Sequence, residues 1–356
     1  MQHSAAAQPA PKLVDGHLAP QPERKSSVVL DERGLLDVPF LVLTVLLVII
    51  GVVMMFSASY ARAYYKEQNS TYYFARQALF ALVGIGMMLF VSRLNYQMWR
   101  GLSVFILAGA IFFLILVPFI GSEEGGAKRW IKIGILSFQP SEVAKVAVVM
   151  SFASLMSIYR EKMQTFRYGV LPFAVILIVV CGLVALERHF SGVLIILALG
   201  AAAVGIFAAV YLTTMGYASA RVTAWRDPMS DPSDTGYQIL QSLYAIGSGG
   251  LMGLGFGRSR QKYLYLPEEH NDYIFPIVCE ELGFVGAVAV ILLFVLLIVR
   301  GYWIAMHARD RFGALLAAGL TTHLALQTFL NIGVVTNFLP STGISLPFSP
   351  TAAQRC

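Results

Sequence analysis

The stretch VPFLVLTVLLVIIGVVMMFSA, Val38 to Ala58, contains no charged side chain. A helix of about 20 apolar residues crosses a hydrocarbon core, and a helix can satisfy every backbone group where water is absent. Comparable runs follow at about 74–92, 101–120, 143–158, 169–186, 191–214, 284–304 and 313–334. The expected fold class is therefore all-α, a polytopic transmembrane helical bundle of about eight spanning helices. Composition agrees: 57% of the 356 residues are hydrophobic and 13% charged, against roughly one-quarter charged in soluble domains.

Outside these runs the chain divides simply. Residues 1–37 are rich in Ala, Pro, Gln and Ser and lack the pattern of a signal peptide, so they are expected to form a disordered cytoplasmic tail. A medium loop covers 121–142. A long polar segment, about 216–283, is expected to lie outside the membrane. Cys181, Cys279 and Cys356 are too scattered for a disulfide framework or a zinc site. The net charge of +6 suits anionic head groups or a phosphorylated substrate, and nucleic acid is a poor match for so apolar a chain.

Basic residues give the orientation. Arg93 with Arg100, Arg160 with Lys162 and Arg167, and Arg300 with Arg309 and Arg311 mark cytoplasmic turns if the N-terminus is inside. A conflict of parity follows. One crossing at 191–214 puts the long segment inside, whereas the basic turn 300–311 requires it outside. Residues 191–214 are too few for two crossings, so either a helix is absent or part of 187–217 dips into the membrane without crossing.

The polar segments carry the chemistry. From Gly236 to Phe275 the chain reads GYQILQSLYAIGSGGLMGLGFGRSRQKYLYLPEEHNDYIF. A helix through Gln238, Gln241 and Ser242 is expected to end near Ile246, followed by a glycine-dense turn. With no preceding strand and no G-K-[ST], close backbone packing explains those glycines better than a nucleotide cradle. Arg258, Arg260 and Lys262 then precede Glu268, Glu269, His270 and Asp272. A carboxylate that takes a proton from a hydroxyl, beside cations that stabilise an anionic leaving group, is a workable transferase site. The structural alternative for Asp272 is a helix N-cap, and His270 competes as a base. Glu280 and Glu281 fall in the next helix, where a carboxylate needs a polar surrounding. The medium loop ends KRWIKIGILSFQPSEVAK, from Lys128 to Lys145. Glu142 suits a helix start; Lys145 within an apolar run requires a partner, for which Glu142 is the modest choice.

These pieces together resemble the SEDS family, the FtsW, RodA and SpoVE proteins, from about Val38 to Phe348. The matching motifs are KRWI (128–131), FQPSEVAK (138–145), GYQILQSL (236–243), AIGSGGLMGLGFGRSRQKYLYLPEEHNDYIF (245–275), EELGFVG (280–286) and NFLPSTGISLPF (337–348). The run QKYLYLPE and the extended N-terminus look closer to the FtsW and SpoVE branch.

The resemblance implies a bundle of ten helices and a peptidoglycan glycosyltransferase at the outer face of the bacterial cytoplasmic membrane. Such an enzyme polymerises lipid II, the undecaprenyl-pyrophosphate disaccharide-pentapeptide, for a division or sporulation septum. Its partners would be a class B penicillin-binding protein and other divisome proteins. By the same mapping Asp272 is the catalytic carboxylate, and Lys128, Arg129, Glu142, Lys145, Arg258, Lys262 and Glu268 are substrate contacts or their support. No cofactor is certain; a divalent cation beside the pyrophosphate is conceivable without a nameable ligand set. A lipid II flippase and an inactive scaffold are the alternatives. The chain departs from the pattern at Glu187 to Gly192, ERHFSG in place of Q-P-D-L-G. It also departs between Val210 and Arg221, where about one helix is missing, and at the end, LPFSPTAAQRC, where a final helix is expected. Residues 349–356 are thus an atypical tail.

Overall fold

The computed structural model describes residues 13–14, 17–18, 36–124, 127–133, 136–159, 162–163, 165–187, 192–193, 195–196, 225–229, 236–263, 266, 272–340 and 346–347. Two compact units are distinguished, Met1–Leu36 and Asp37–Cys356. In the first, β1 (Leu13–Val14) pairs antiparallel with β2 (His17–Leu18); the rest of the expected tail, like residues 349–356, lies outside the described residues.

The second unit is a helical bundle. Its elements are α1 (Val38–Glu67), α2 (Tyr72–Ser92), α3 (Tyr96–Ile120), β3 (Ser122–Glu124), β4 (Ala127–Ile133), β5 (Leu136–Phe138), α4 (Pro140–Ile158), α5 (Phe166–Gly169), α6 (Leu171–Leu186), α7 (Tyr237–Ser248), α8 (Ile274–Met306) and α9 (Arg311–Val335). Among the described residues six helices, α1 to α4, α8 and α9, are long and apolar enough to cross a membrane, and α6 is a shorter apolar helix. The crossing expected at 191–214 lies almost wholly outside the described residues.

Helices begin earlier or end later than the apolar runs because hydropathy marks only the lipid-facing part. Polar caps fix the ends: Asp37 Oδ1 accepts from Phe40 N at 2.9 Å, Asn95 Oδ1 from Gln97 N at 2.9 Å, and Asp310 Oδ2 from Phe312 N at 3.1 Å. The medium loop is not irregular. β4 pairs antiparallel with both β3 and β5, so a three-stranded ribbon sits on the otherwise all-α bundle. Its backbone groups find partners within the ribbon. α7 runs two residues beyond the expected end at Ile246.

Contacts between elements give the faces. Arg300 at the end of α8 reaches Asp37 at the start of α1, with Nε and Nη2 at 3.0 and 2.9 Å from its carboxylate. Tyr96 of α3 donates to Asp310 at 2.5 Å. Ser154 and Ser151 of α4 bond Arg100 O and Ser103 O of α3. These ends share one side, the side of the basic turns, and α8 therefore starts on the opposite side, where α6 ends. The basic turn between α8 and α9 keeps the inner face, as the positive-inside pattern requires.

α8 is broken at Gly283, with φ 68° and ψ −168°. The break frees backbone groups, and the glycine-rich segment after α7 takes them up. Leu254 N and Gly255 N donate to Glu280 O and Glu281 O at 2.9 and 3.0 Å, while Phe284 N and Val285 N donate to Gly250 O and Leu251 O at 2.9 and 3.2 Å. The two backbones touch: a Cβ on Gly283 would lie 2.3 Å from Gly253 N, and one on Gly253 (φ 78°) would lie 2.1 Å from Glu281 O. Close packing is thus the function of these glycines.

Three predictions follow from these contacts. Gly283→Ala should destabilise the detergent-solubilised chain by about 3 kcal/mol or more, since strained φ/ψ alone costs about 1–3 kcal/mol. Gly247→Ala, in α7 with open space around it, should stabilise the fold by up to about 1 kcal/mol, read as a slightly higher melting temperature. Arg300 holds the Asp37 carboxyl below its ordinary value near 3.8. A depressed carboxyl stabilises the fold at pH above its unfolded pKa and loses that effect as pH falls through the folded value. Asp37→Asn should therefore lower the melting temperature at neutral pH and flatten its decline below about pH 4, read by thermal unfolding across pH.

Candidate active site

The segment that seals the helix break also carries a buried polar cluster. Glu281, 1% exposed, accepts from Ser57 Oγ of α1 at 2.6 and 2.8 Å, from Ser259 N at 3.3 Å, and pairs with Lys262 Nζ at 3.3 Å. Glu280, equally buried, accepts from Arg260 N at 2.9 Å, Gln261 N at 3.4 Å and the Ser259 hydroxyl. Lys262 Nζ also donates to Gly257 O at 2.5 Å. Carboxylates removed from water need such a set of donors, because an unpaired buried charge costs several kcal/mol. The cluster ties α1, α8 and the chain from Gly257 to Lys262 into one piece.

Asp272 stands at the outer end of α8. It does not cap that helix: the N-cap is Tyr273, without a side-chain cap bond. Instead the Asp272 carbonyl accepts from Asn331 Nδ2 of α9 at 2.9 Å. Asn331 is 1% exposed, so the catalytic candidate is held to α9 through its backbone while its side chain is partly accessible.

A second polar group lies where α4 begins. Lys145, 1% exposed, pairs with Glu142 at 2.7 Å, one helical turn away. The Glu142 side chain is 45% exposed and carries the pair toward solvent. His323 of α9 stands within electrostatic reach of both. Gly319, one turn before His323, packs on Val149, one turn after Lys145; a Cβ there would lie 2.6 Å from the valine side chain. α9 therefore serves both groups, with His323 and Asn331 about two turns apart.

The ribbon supplies the remaining cations. Lys128 is exposed on β4, Arg129 is half-buried and Trp130 is buried. Arg129 acts electrostatically on Glu187, just past the end of α6. Arg258 is exposed in the glycine segment. Glu268, Glu269 and His270 lie outside the described residues.

One expectation needs correction. Lys262 is not available as a pyrophosphate contact, because its ammonium is 98% buried and saturated by Glu281, Gly257 O and Ser57. It is part of the scaffold. Residues missed by the sequence reading are Ser57, Ser259, His323 and Asn331. Each is a small or neutral polar group within an apolar or basic stretch, and only its partner across the fold reveals a role. Among the described residues no three His, Cys, Asp or Glu gather as a metal site.

Comparison with known proteins settles the family. A family model described as "Cell cycle protein", FTSW_RODA_SPOVE, matches residues 38–350. The chain belongs to the FtsW, RodA and SpoVE family. It is 38% identical to a probable peptidoglycan glycosyltransferase FtsW of Geobacter sulfurreducens, covering 88% of this chain and 89% of that one. It is 38% identical to stage V sporulation protein E of Bacillus subtilis, covering 88% and 90%. Among solved structures, a chain of a peptidoglycan synthase complex aligns with TM-score 0.69 and 26% identity over 87% of this chain and 90% of that one. The rod shape determining protein RodA of Thermus thermophilus aligns with TM-score 0.60 and 26% identity over 87% and 88%. As an FtsW, RodA and SpoVE family member, the chain contributes 88% of its length, about 313 residues, to an alignment of 333 positions with the Geobacter protein. About 20 aligned positions thus have no residue here.

Breaking the buried pair should cost far more than removing an exposed cation. Lys262→Met is expected to destabilise by about 3–5 kcal/mol by leaving Glu281 uncompensated, and Arg258→Ala by less than about 0.5 kcal/mol, both read from thermal unfolding in detergent.

Proposed function

We propose that this chain is a peptidoglycan glycosyltransferase of the bacterial cytoplasmic membrane that polymerises lipid II at the outer face, for a division or sporulation septum. The observation that carries the reading is the position of Asp272. It opens α8 on the face opposite the basic turns, clamped through its carbonyl by Asn331, in a chain whose relatives are named as peptidoglycan glycosyltransferases over nearly their whole length. The TM-score of 0.69 to a chain of a synthase complex supports a partner that cross-links the product, a class B penicillin-binding protein.

In this mechanism the Asp272 carboxylate takes the proton of the acceptor sugar's 4-hydroxyl as its oxygen bonds the donor's anomeric carbon. The bond from that carbon to the pyrophosphate breaks, and the lipid pyrophosphate leaves with the electron pair. Lys128, Arg129 and Arg258 are assigned by motif to offset that charge. Lys145 and Glu142, paired on α4 within electrostatic reach of His323 of α9, are assigned as support for the substrate, and Lys262 holds the loop to α8 through Glu281. Glu268 is retained as a substrate contact by motif alone. A divalent cation would add charge neutralisation at the pyrophosphate, but no step depends on it here. The roughly 20 aligned positions without a residue support the absence of one internal helix.

The test is polymerisation of purified lipid II by the chain with a class B penicillin-binding protein. The parent should form glycan polymer, and Asp272→Ala should lower the rate by at least about a hundredfold, the scale of general-base catalysis. Polymer formation unchanged by Asp272→Ala would contradict the assignment; lipid II transfer across vesicles without polymer would favour a flippase.

A further inference from the structure

Glu187 closes α6 and opens the segment in which this chain departs from the family pattern. It is 3% exposed, and among the described residues neither carboxylate oxygen has a hydrogen-bond partner. Leaving a buried acceptor unsatisfied costs about 1–3 kcal/mol, more if charged, and native folds rarely tolerate it without a ligand or a change of protonation. The cluster at Glu280 and Glu281 shows the contrast: there each carboxylate is met by hydroxyls, backbone N–H groups or an ammonium.

The surroundings of Glu187 narrow its use. Helix α3 brings no ionisable side chain in its outer half. α4 brings Glu142 and Lys145, already paired with each other. α5 carries Arg167 at the opposite end of α6. The charge that acts on Glu187 is that of Arg129 on β4, which draws the carboxyl down. Burial pushes the Glu187 carboxyl up to about 8 against the pull of Arg129. At neutral pH the group thus holds its proton, and among the described residues no hydrogen-bond partner meets it.

We propose that Glu187, as a neutral acid, and Arg129 form a seat for the pyrophosphate of the lipid-linked substrate, Glu187 donating its O–H to a phosphate oxygen and Arg129 supplying the opposite charge. The inference rests on the glycosyltransferase reading, which provides the isoprenoid pyrophosphate. An acid and a guanidinium both serve an anion, whereas an ionised Glu187 would repel it. By linkage, anion and proton then bind together, each strengthening the other.

The experiment is equilibrium binding of undecaprenyl pyrophosphate to the full detergent-solubilised chain at pH 7 and pH 9, with undecaprenol as the control lacking the pyrophosphate. With the carboxyl titrating at about 8, the parent's affinity should fall by about tenfold between the two, following the protonated fraction. Glu187→Gln, which keeps a neutral donor of nearly equal shape, should bind with an affinity that does not fall between pH 7 and pH 9. Titration of the probe itself is common to both chains. An equal fall in Glu187→Gln, no fall in the parent, or a rise toward pH 9 as a cation site would give, would each overturn the proposal while leaving the transferase reading intact. No binding by the parent at either pH, or equal binding of undecaprenol, would overturn it; Asp272-dependent polymerisation then shows separately whether the transferase reading survives.

Discussion

Four backbone hydrogen bonds between the glycine-rich segment and the break in α8 govern how the outer end of this bundle is built. A helix broken where lipid surrounds it leaves N–H and C=O groups that water cannot satisfy. Here the segment from Gly250 to Gly255 lies close enough to replace the missing intrahelical bonds, because Gly253 and Gly283 present no Cβ to each other's backbone. The break lets the nine residues from Ile274 to Leu282 diverge from the spanning part of α8. Their first turn holds Asp272 against α9, and their last carries Glu280 and Glu281 into the space between α1 and the loop.

The polar chemistry is distributed according to what each group can be paired with. Two buried carboxylates and an ammonium near Ser57 are saturated and bind elements together. Lys145 shares its charge with a half-exposed Glu142, so that pair opens toward the outer face. Glu187 has no such partner, and its neutral form is suited to a ligand rather than to the fold. Rigid and responsive groups are thus separated: the loop from Gly257 to Lys262 is fixed by a closed network, and Glu187 stands apart from it at the end of α6.

Much of the bundle was legible because hydropathy records the bilayer directly. The runs beginning at Val38 and Phe284 could be nothing but spanning helices, and their polar ends were set by capping residues such as Asp37 and Asp310. The ribbon at 122–138 was not legible, since its strands are three to seven residues long and carry no sustained alternation. Asp272 was singled out by motif and Lys145 by the cost of charge in an apolar run, where the structure pairs it with Glu142. Lys262 misled because a cation beside other cations looks solvent-facing, whereas its acceptors, Ser57 and Glu281, lie 205 and 19 residues away in the chain. Asn331 could not be read at all: an amide in a helix gains meaning only from the carbonyl it reaches.

The central claim is that the glycine-rich segment is a docked part of α8's broken helix and not a free loop. Hydrogen exchange of the full chain in detergent, followed on peptides containing the Leu254 and Gly255 amides, tests it directly. Docking predicts that these amides exchange about a thousandfold or more slower than an unstructured chain, the equivalent of about 4 kcal/mol of local opening energy, and that Gly283→Ala removes the protection. Exchange at the rate of an open loop in the parent chain would contradict the account.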